Sequence, residues 1–401
     1  MKDDWEVRPL GEVCAVPLTV NPKDRPNDEF RYIDVSAVSN RSFTITAVDT
    51  ILGREAPGRA RRQIRTGDIL FATIRPGLQR IAIVPQELDG EVCSTGYCVL
   101  RPDPETVSSR FVFYWLLSRE FTERISTLQR GASYPAVTDR EVRAQTIPVP
   151  PLAEQERIVR ILDDLLNALD RSKGLTSAAS EKALDLLNGF LDSTVESAST
   201  QWPVYPLGEL ADLRNGINYT RSSTGAEVAL VGVKDFQDHF QAPQTGLARV
   251  RIDGRLGDND RLQEGDLLCV RSNGNPALIG RCMLVSKVER QTTHSGFTIR
   301  IRLRDSRHVV PTWVAWVIRC PRTRQLLVGQ GTGTNIRSLN QAALSSIPIP
   351  VPPPGEQETI ADTLAQMQAL TSGLTRSLEA RLSALDQLRS SLLDRAFTGE
   401  L

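Results

Sequence analysis

Two stretches of this chain repeat one another: IPVPPLAEQERI at residues 147–158 and IPIPVPPPGEQETI at residues 347–360. Each is a proline ramp that runs into a Gln between two Glu and then into a helix-forming sequence. Self-similarity at long period constrains the whole architecture, so it takes precedence over any local motif. The repeat extends well beyond the ramps. RPLGEV (8–13) matches YPLGEL (205–210), YIDVSAVSN (32–40) matches LVGVKDFQD (230–238), and RTGDILFATIR (65–75) matches QEGDLLCVRSN (263–273). STGYCVLRP (94–102) returns as HSGFTIRIR (294–302), and Phe111 and Tyr114 return as Trp313 and Trp316. The matches keep their order at an offset of 197–202 residues, which identifies one module duplicated.

Each copy has two parts. The first alternates short β-branched runs with turn signals: RYIDVSAV, FTITAVDTI, GDILFATI, RIAIVP and GYCVLRP. A helical stretch follows at 108–128, with Ser108 and Ser109 as candidate caps. This predicts a compact α+β domain. The second part begins where prolines forbid an earlier helix. In the first copy the apolar stripe is Ile158, Leu162, Leu165, Leu169 and Leu187. In the second it is Ile360, Leu364, Met367, Leu374, Leu378, Leu385, Leu388 and Leu392. Three- and four-residue steps over many turns predict a coiled-coil seam, with Gly174 and Gly373 as soft spots. Neither helix alone can hide its stripe, so the two are expected to pair antiparallel. The expected architecture is two duplicated α+β domains separated by an antiparallel two-helix coiled coil, pseudo-twofold overall. Its boundaries are 1–150 and 201–346 for the domains, and 151–200 and 347–401 for the helical regions.

Charge is segregated within a chain of zero net charge: residues 201–346 carry 19 Lys and Arg against 12 Asp and Glu, whereas residues 1–150 carry 20 of each. A +7 domain beside acidic helices points to a polyanion, a scattered solvated surface being the other explanation. No run of 18 apolar residues or basic leader is present, so a soluble intracellular protein without a membrane role is expected. The six cysteines form no C-x-x-C pair and read as buried free thiols, and three scattered histidines argue against zinc.

The duplicated ramps, PLGEL, GDILFATIR and the closing LLDRAFTGEL resemble the DNA-specificity subunit of type I restriction–modification systems, and the resemblance covers essentially the whole chain. It implies that the α+β parts are target-recognition domains, each reading one half of a split, asymmetric sequence in double-stranded DNA. It implies that the helices fix the separation of the halves and dock two methyltransferase subunits, which restriction or translocase subunits can join in the cytoplasm. S-adenosylmethionine, ATP and Mg would then belong to the partner subunits, and this chain would supply specificity alone. The residues agree on that last point. No F-x-G-x-G cofactor loop, N-P-P-[YF] motif or P-loop is present, and GQGTGTN (329–335) lacks the Lys-Ser/Thr that a phosphate loop needs. Three other readings remain open: an enzyme with its own methylase or nuclease centre, a coiled-coil scaffold, and a specificity subunit of another DNA-modifying phage-defence system.

Base edges in the major groove are distinguished best by Arg to guanine and by Asn or Gln to adenine. Candidate DNA contacts in the first domain are Arg59, Arg61, Arg62, Arg75, Gln79, Arg80, Arg130, Ser133 and Tyr134. In the second they are Arg271, Asn273, Asn275, Arg281, Thr334, Asn335 and Arg337. The turn after the Gly-Asp strand differs most between the copies, TIRPGLQR against VRSNGNPALIGR. That is where a duplicated scaffold should diverge if its halves read different bases, drift in an exposed loop being the alternative.

Overall fold

The computed structural model describes residues 5–131, 134–220, 222–236, 239–288, 291–329 and 339–401. The chain divides into two compact units: Met1–Ser177 with Glu379–Leu401, and Ala178–Leu378. This cuts across the four-part division expected from sequence, because each unit takes part of both long helices, Leu152–Gln201 and Pro354–Thr398.

In the first unit Cys14–Ala15, Tyr97–Pro102, Ile69–Ala72 and Ile81–Ile83 form one antiparallel sheet in that order. Asp49–Leu52, Glu29–Ile33, Val92–Ser94 and Ala60–Gln63 form a second, in which Glu29–Ile33 runs parallel to Val92–Ser94. The second unit repeats this strand order: Ala211–Asn215, Thr298–Leu303, Leu267–Val270 and Cys282–Leu284 in one sheet, and Ala248–Arg251, Glu227–Val231 and Thr292–His294 in the other. Among the described residues, Ala60–Gln63 has no strand counterpart there. The expected strand FTITAVDTI is one only from Asp49.

The first half of each proline ramp is itself a strand. Thr146–Val149 pairs with Glu6–Pro9, and Pro348–Pro350 pairs with Val204–Pro206. Two-stranded ribbons tolerate proline because one edge of each strand needs no donor. The start of each ramp thus pairs with the strand that ends at the Pro of PLGE, and the rest of that motif is a helical turn, Leu10–Val13 and Leu207–Leu210.

The Gln of the Glu-Gln-Glu sequence is a latch. Gln155 is fully buried; its Oε1 accepts from the Ser108 N–H at 2.9 Å, and its Nε2 donates to Thr106 O and Pro150 O. Gln357 repeats the set, accepting from the Val310 N–H and donating to His308 O and Pro352 O. Ser108 and Val310 are the N-cap residues of Ser109–Leu117 and Pro311–Arg319. The glutamine of a capping box satisfies such an N–H from three residues away. Here it does so from 47 residues away, tying the long helix to its domain.

The predicted helix 108–128 is two helices, Ser109–Leu117 and Arg119–Thr127. Ser118 between them is extended and accepts from the Phe121 N–H. Asp394, on the far long helix, accepts from the Arg119 N–H, and Asp192 accepts from the Arg322 N–H at the matching break in the second unit. Negative charge suits a helix N-terminus.

Within the first unit the long helices run antiparallel, since Asp170 pairs with Arg389 and Lys173 with Asp386. The seam there is Ile158, Leu162, Leu166 and Leu169, all buried; Leu165, expected in it, is 39% exposed. A four-residue step from Leu162 puts Leu166 on the packed face instead. On the second helix Leu364 is buried, Ile360, Met367, Leu378, Leu385 and Leu392 are half-buried, and Leu374 and Leu388 are exposed. Leu187 is half-buried. Leu393, Ala396 and Phe397 close the first core, with the Phe397 ring 5.1 Å from both Phe111 and Trp115. No described helix is long and apolar enough to cross a membrane.

Candidate nucleic-acid interface

The strand that carries each variable turn is anchored at its start by a buried ion pair. Asp68 is 1% exposed; it accepts from the Arg65 N–H, and Arg101 grips both its oxygens at 2.8 and 2.7 Å. Asp266 is also 1% exposed, accepts from the Gln263 N–H, and is gripped by Arg302 at 2.7 Å on each oxygen. Paired guanidinium–carboxylate bonds fix direction as well as position. The repeated Gly-Asp exists because Gly67 and Gly265 have φ of +84° and +87°, a left-handed turn that favours glycine and aims the following Asp inward. The Asp–Arg pairing also sets the true register of the repeat. Thr73 N–H donates to Gly96 O, and Arg271 N–H donates to Phe297 O, so Phe297 stands where Gly96 does, not Tyr97. Tyr97 is fully buried and donates to Asp34 O; Phe297 is 61% exposed.

Beyond the anchored strand the copies part. Both turns contain a short 3-10 segment, Pro76–Leu78 and Pro276–Leu278. The second copy has two more residues before it and one after. In the first unit Arg75 and Gln79, flanking the segment, have φ of +51° and +50°. Gln79 occupies the position that Gly280 fills in the second unit at φ +76°. Left-handed backbone at a residue with a Cβ costs about 1 kcal/mol. The Gln79 Nε2 bond to Thr122 Oγ1 at 2.8 Å offsets part of that. Such strain persists where the surroundings over-determine it, and it concentrates at working surfaces.

The candidates divide by what their side chains already do. Arg75 and Tyr134 come together: the guanidinium lies 4.9 Å from the ring centroid, and the Arg75 N–H donates to Pro135 O at 2.7 Å. Tyr134 is 71% exposed. Arg59 pairs with Asp34 at 2.9 Å and donates to the Tyr32 hydroxyl. Arg61 donates to Gly58 O. Arg62 is paired to Asp139, and Arg80 donates to the carbonyls of Val35, Ser36 and Val38, so both hold the scaffold. Arg130 pairs with Glu141. In the second unit Asn273 Oδ1 accepts from the Asn275 N–H and Asn275 Oδ1 from the Ala277 N–H, which shapes the longer turn. Arg271 reaches Gly296 O, and Arg281 reaches Ala277 O. Ser133, Thr334, Asn335 and Arg337 lie outside the described residues.

A cleft of about 580 Å³ opens beside that turn, lined by Ser272, Asn273, Phe297, Tyr219, Lys234 and Ala248 among others. Tyr219, Lys234 and Phe297 were not among the sequence candidates. Lys234 stands at the position of Ser36, a difference visible in the aligned repeats, whereas the exposure of Phe297 depends on the one-residue register shift.

His294 is buried, and desolvation, with Arg300, Arg214 and Arg302 nearby, lowers its pKa to about 3, so the ring is neutral. All six cysteines are buried free thiols, and burial pushes Cys14 and Cys98 up to about 12. Among the described residues no group of three or more His, Cys, Asp or Glu could hold a metal ion.

Comparison with known proteins places this geometry. The family model described as "Type I restriction modification DNA specificity domain" matches residues 2–178 and 325–384, more than half of the chain. The specificity subunit of the EcoKI type I restriction enzyme of Escherichia coli K12 is 26% identical over 428 residues, spanning all of this chain and 90% of that protein. The StySPI specificity subunit of Salmonella potsdam is likewise 26% identical over 429 residues, at the same coverage. Among solved structures, a chain from a study of complex assembly and conformational transition of the type I R-M system is 29% identical, with a TM-score of 0.86 over 100% of this chain and 99% of that one. The HsdS subunit of Thermoanaerobacter tengcongensis is 28% identical, with a TM-score of 0.61 over 100% and 98%.

Proposed function

The chain belongs to the type I restriction–modification DNA-specificity family, and from that premise we propose that each unit reads one half of a bipartite, asymmetric DNA sequence. The observation that carries this is the pairing of sameness with difference. The Asp–Arg anchor and the Gln latch are repeated bond for bond, while the turn beyond the anchored strand differs in length, in its uncharged polar residues and in backbone conformation. Selection for two readings of DNA on one scaffold would leave that pattern. In this reading Arg75, presented over Tyr134, contacts base edges for the first unit, and Asn273 beside Phe297 does so for the second.

The chain supplies specificity and no chemistry. Adenine methylation and restriction, with S-adenosylmethionine, ATP and Mg, fall to methyltransferase and translocase subunits docked on the long helices. Exposed leucines there support docking: Leu175, Leu186 and Leu370 are 74%, 64% and 71% exposed. Service in another DNA-modifying defence system uses the same reading units and differs only in those partners.

Arg75→Ala, assayed as the complex with its methyltransferase, is expected to weaken binding about 5- to 150-fold, the worth of one good base pairing of about 1–3 kcal/mol. The loss should fall on one half-sequence: substitutions in that half no longer matter at one position, while the other half is read as before. Equal loss on unrelated DNA would show that Arg75 touches only phosphates.

A further inference from the structure

We propose that the two units divide the work of binding unequally, the second carrying most of the phosphate anchoring through its edge strand Ala248–Arg251. This rests on the reading of both units as DNA readers and goes beyond it. The strand borders the same cleft as the variable turn, since Ala248, Lys234, Asn273 and Phe297 line it together. Arg249 and Arg251 alternate outward along the strand, and Arg255 and Lys234 are exposed nearby.

The first unit provides an internal control. Register pairs Tyr32 with Asp49 and Leu230 with Ala248, so Thr50 and Leu52 occupy the places of Arg249 and Arg251. Residues 34–37 and 49–56 hold one Arg against three acids. Their counterparts, 232–235 and 248–255, hold four basic residues against two acids. Of the first unit's acids, Asp34 is already paired to Arg59, and Asp49 is exposed on the strand. Of the second unit's, Asp235 accepts from the Gly232 N–H. Glu227, opposite Arg251, has its equivalent in Glu29, opposite Leu52, so it does not distinguish the units. A net negative edge in one unit and a net positive edge in the other, at equivalent positions on one scaffold, assigns the backbone to the second. The step from −2 to +2 supplies four of the seven charges by which residues 201–346 exceed residues 1–150.

The test is the salt dependence of DNA binding by the full complex. Each phosphate contact contributes about 0.9 to the slope of log K against log salt. The variant R249Q/R251Q/R255Q is expected to make that slope shallower by about 2–3 while leaving the methylated sequence unchanged. As a gain-of-charge partner, D49A/T50R in the first unit is expected to steepen it by about 1. This second arm stays informative if the triple variant fails to fold. A native complex that binds its sequence with a slope neither variant moves overturns the assignment alone. A native complex with no sequence-dependent binding overturns the reading beneath it.

Discussion

Residues 1–200 produced on their own are expected to assemble as a dimer. The first unit is finished by a distant segment, in which Leu393, Ala396 and Phe397 are 3%, 0% and 2% exposed among Phe111, Trp115 and their neighbours. Removing a buried Phe and a buried Leu costs on the order of 5 kcal/mol or more. That approaches the whole stability of a typical domain. The fragment nevertheless carries a substitute. Residues 178–200 contain Leu191, Asp192 and Ala198, which in the full chain close the second core and cap its helix at the Arg322 N–H. Asp192 does there what Asp394 does at the Arg119 N–H. Two copies can exchange these segments, each completing the other. Sedimentation at micromolar concentration should show one dimeric species. A well-folded monomer would mean that the segment after residue 379 is dispensable.

Asp68→Ala is expected to destabilise the first unit by about 3 kcal/mol, at the lower end of the cost of breaking a buried ion pair. The lower end is appropriate because the Arg101 side chain keeps 21% of its surface exposed and can recover some water. Hydrogen exchange along Ile69–Ala72 is the direct readout, since Asp68 fixes the start of that strand. Those amides should exchange faster by roughly two orders of magnitude, taking about 1.4 kcal/mol per tenfold change, while Leu267–Val270 stays protected. Removing the arginine as well, in D68L/R101M, should restore much of the loss because no uncompensated charge remains. Asp266→Ala should reverse the pattern of protection between the two strands.

What the sequence revealed and what it hid differ by the range of the interaction. The duplication, the ramps and the leucine stripes are local or periodic, and the repeated strand order followed from them. The latch was hidden because a Gln between two Glu looks like solvated surface until its distant partners, 47 and 49 residues back, are known. The Gly-Asp repeat was visible, but not its arginines at 101 and 302, which no spacing rule connects to it. Leu165 and Leu166 are adjacent leucines, and periodicity alone does not say which faces the partner helix. The break at Ser118 has a local cap, but its second acceptor, Asp394, lies 275 positions beyond Arg119. Among the candidate contacts, sequence chose arginines by type. In the structure Arg62 and Arg80 bind the scaffold, and the Arg75 guanidinium lies over an exposed ring. The basic edge strand was missed because its arginines acquire meaning only beside Thr50 and Leu52 of the other unit.

The claim that each unit reads its own half-sequence is tested most directly by exchange. Residues 60–140 contain the anchored strand, the variable turn and the Arg75–Tyr134 pair of the first unit, and none of the second. A chimera carrying these residues from another member of the family, expressed with its methyltransferase, can be read by long-read mapping of methylated adenines. The account predicts that one half of the methylated sequence becomes the donor's while the other half stays as it was. The units have separate cores, so the exchange should not couple to the second. A change in both halves, or in neither, would contradict it.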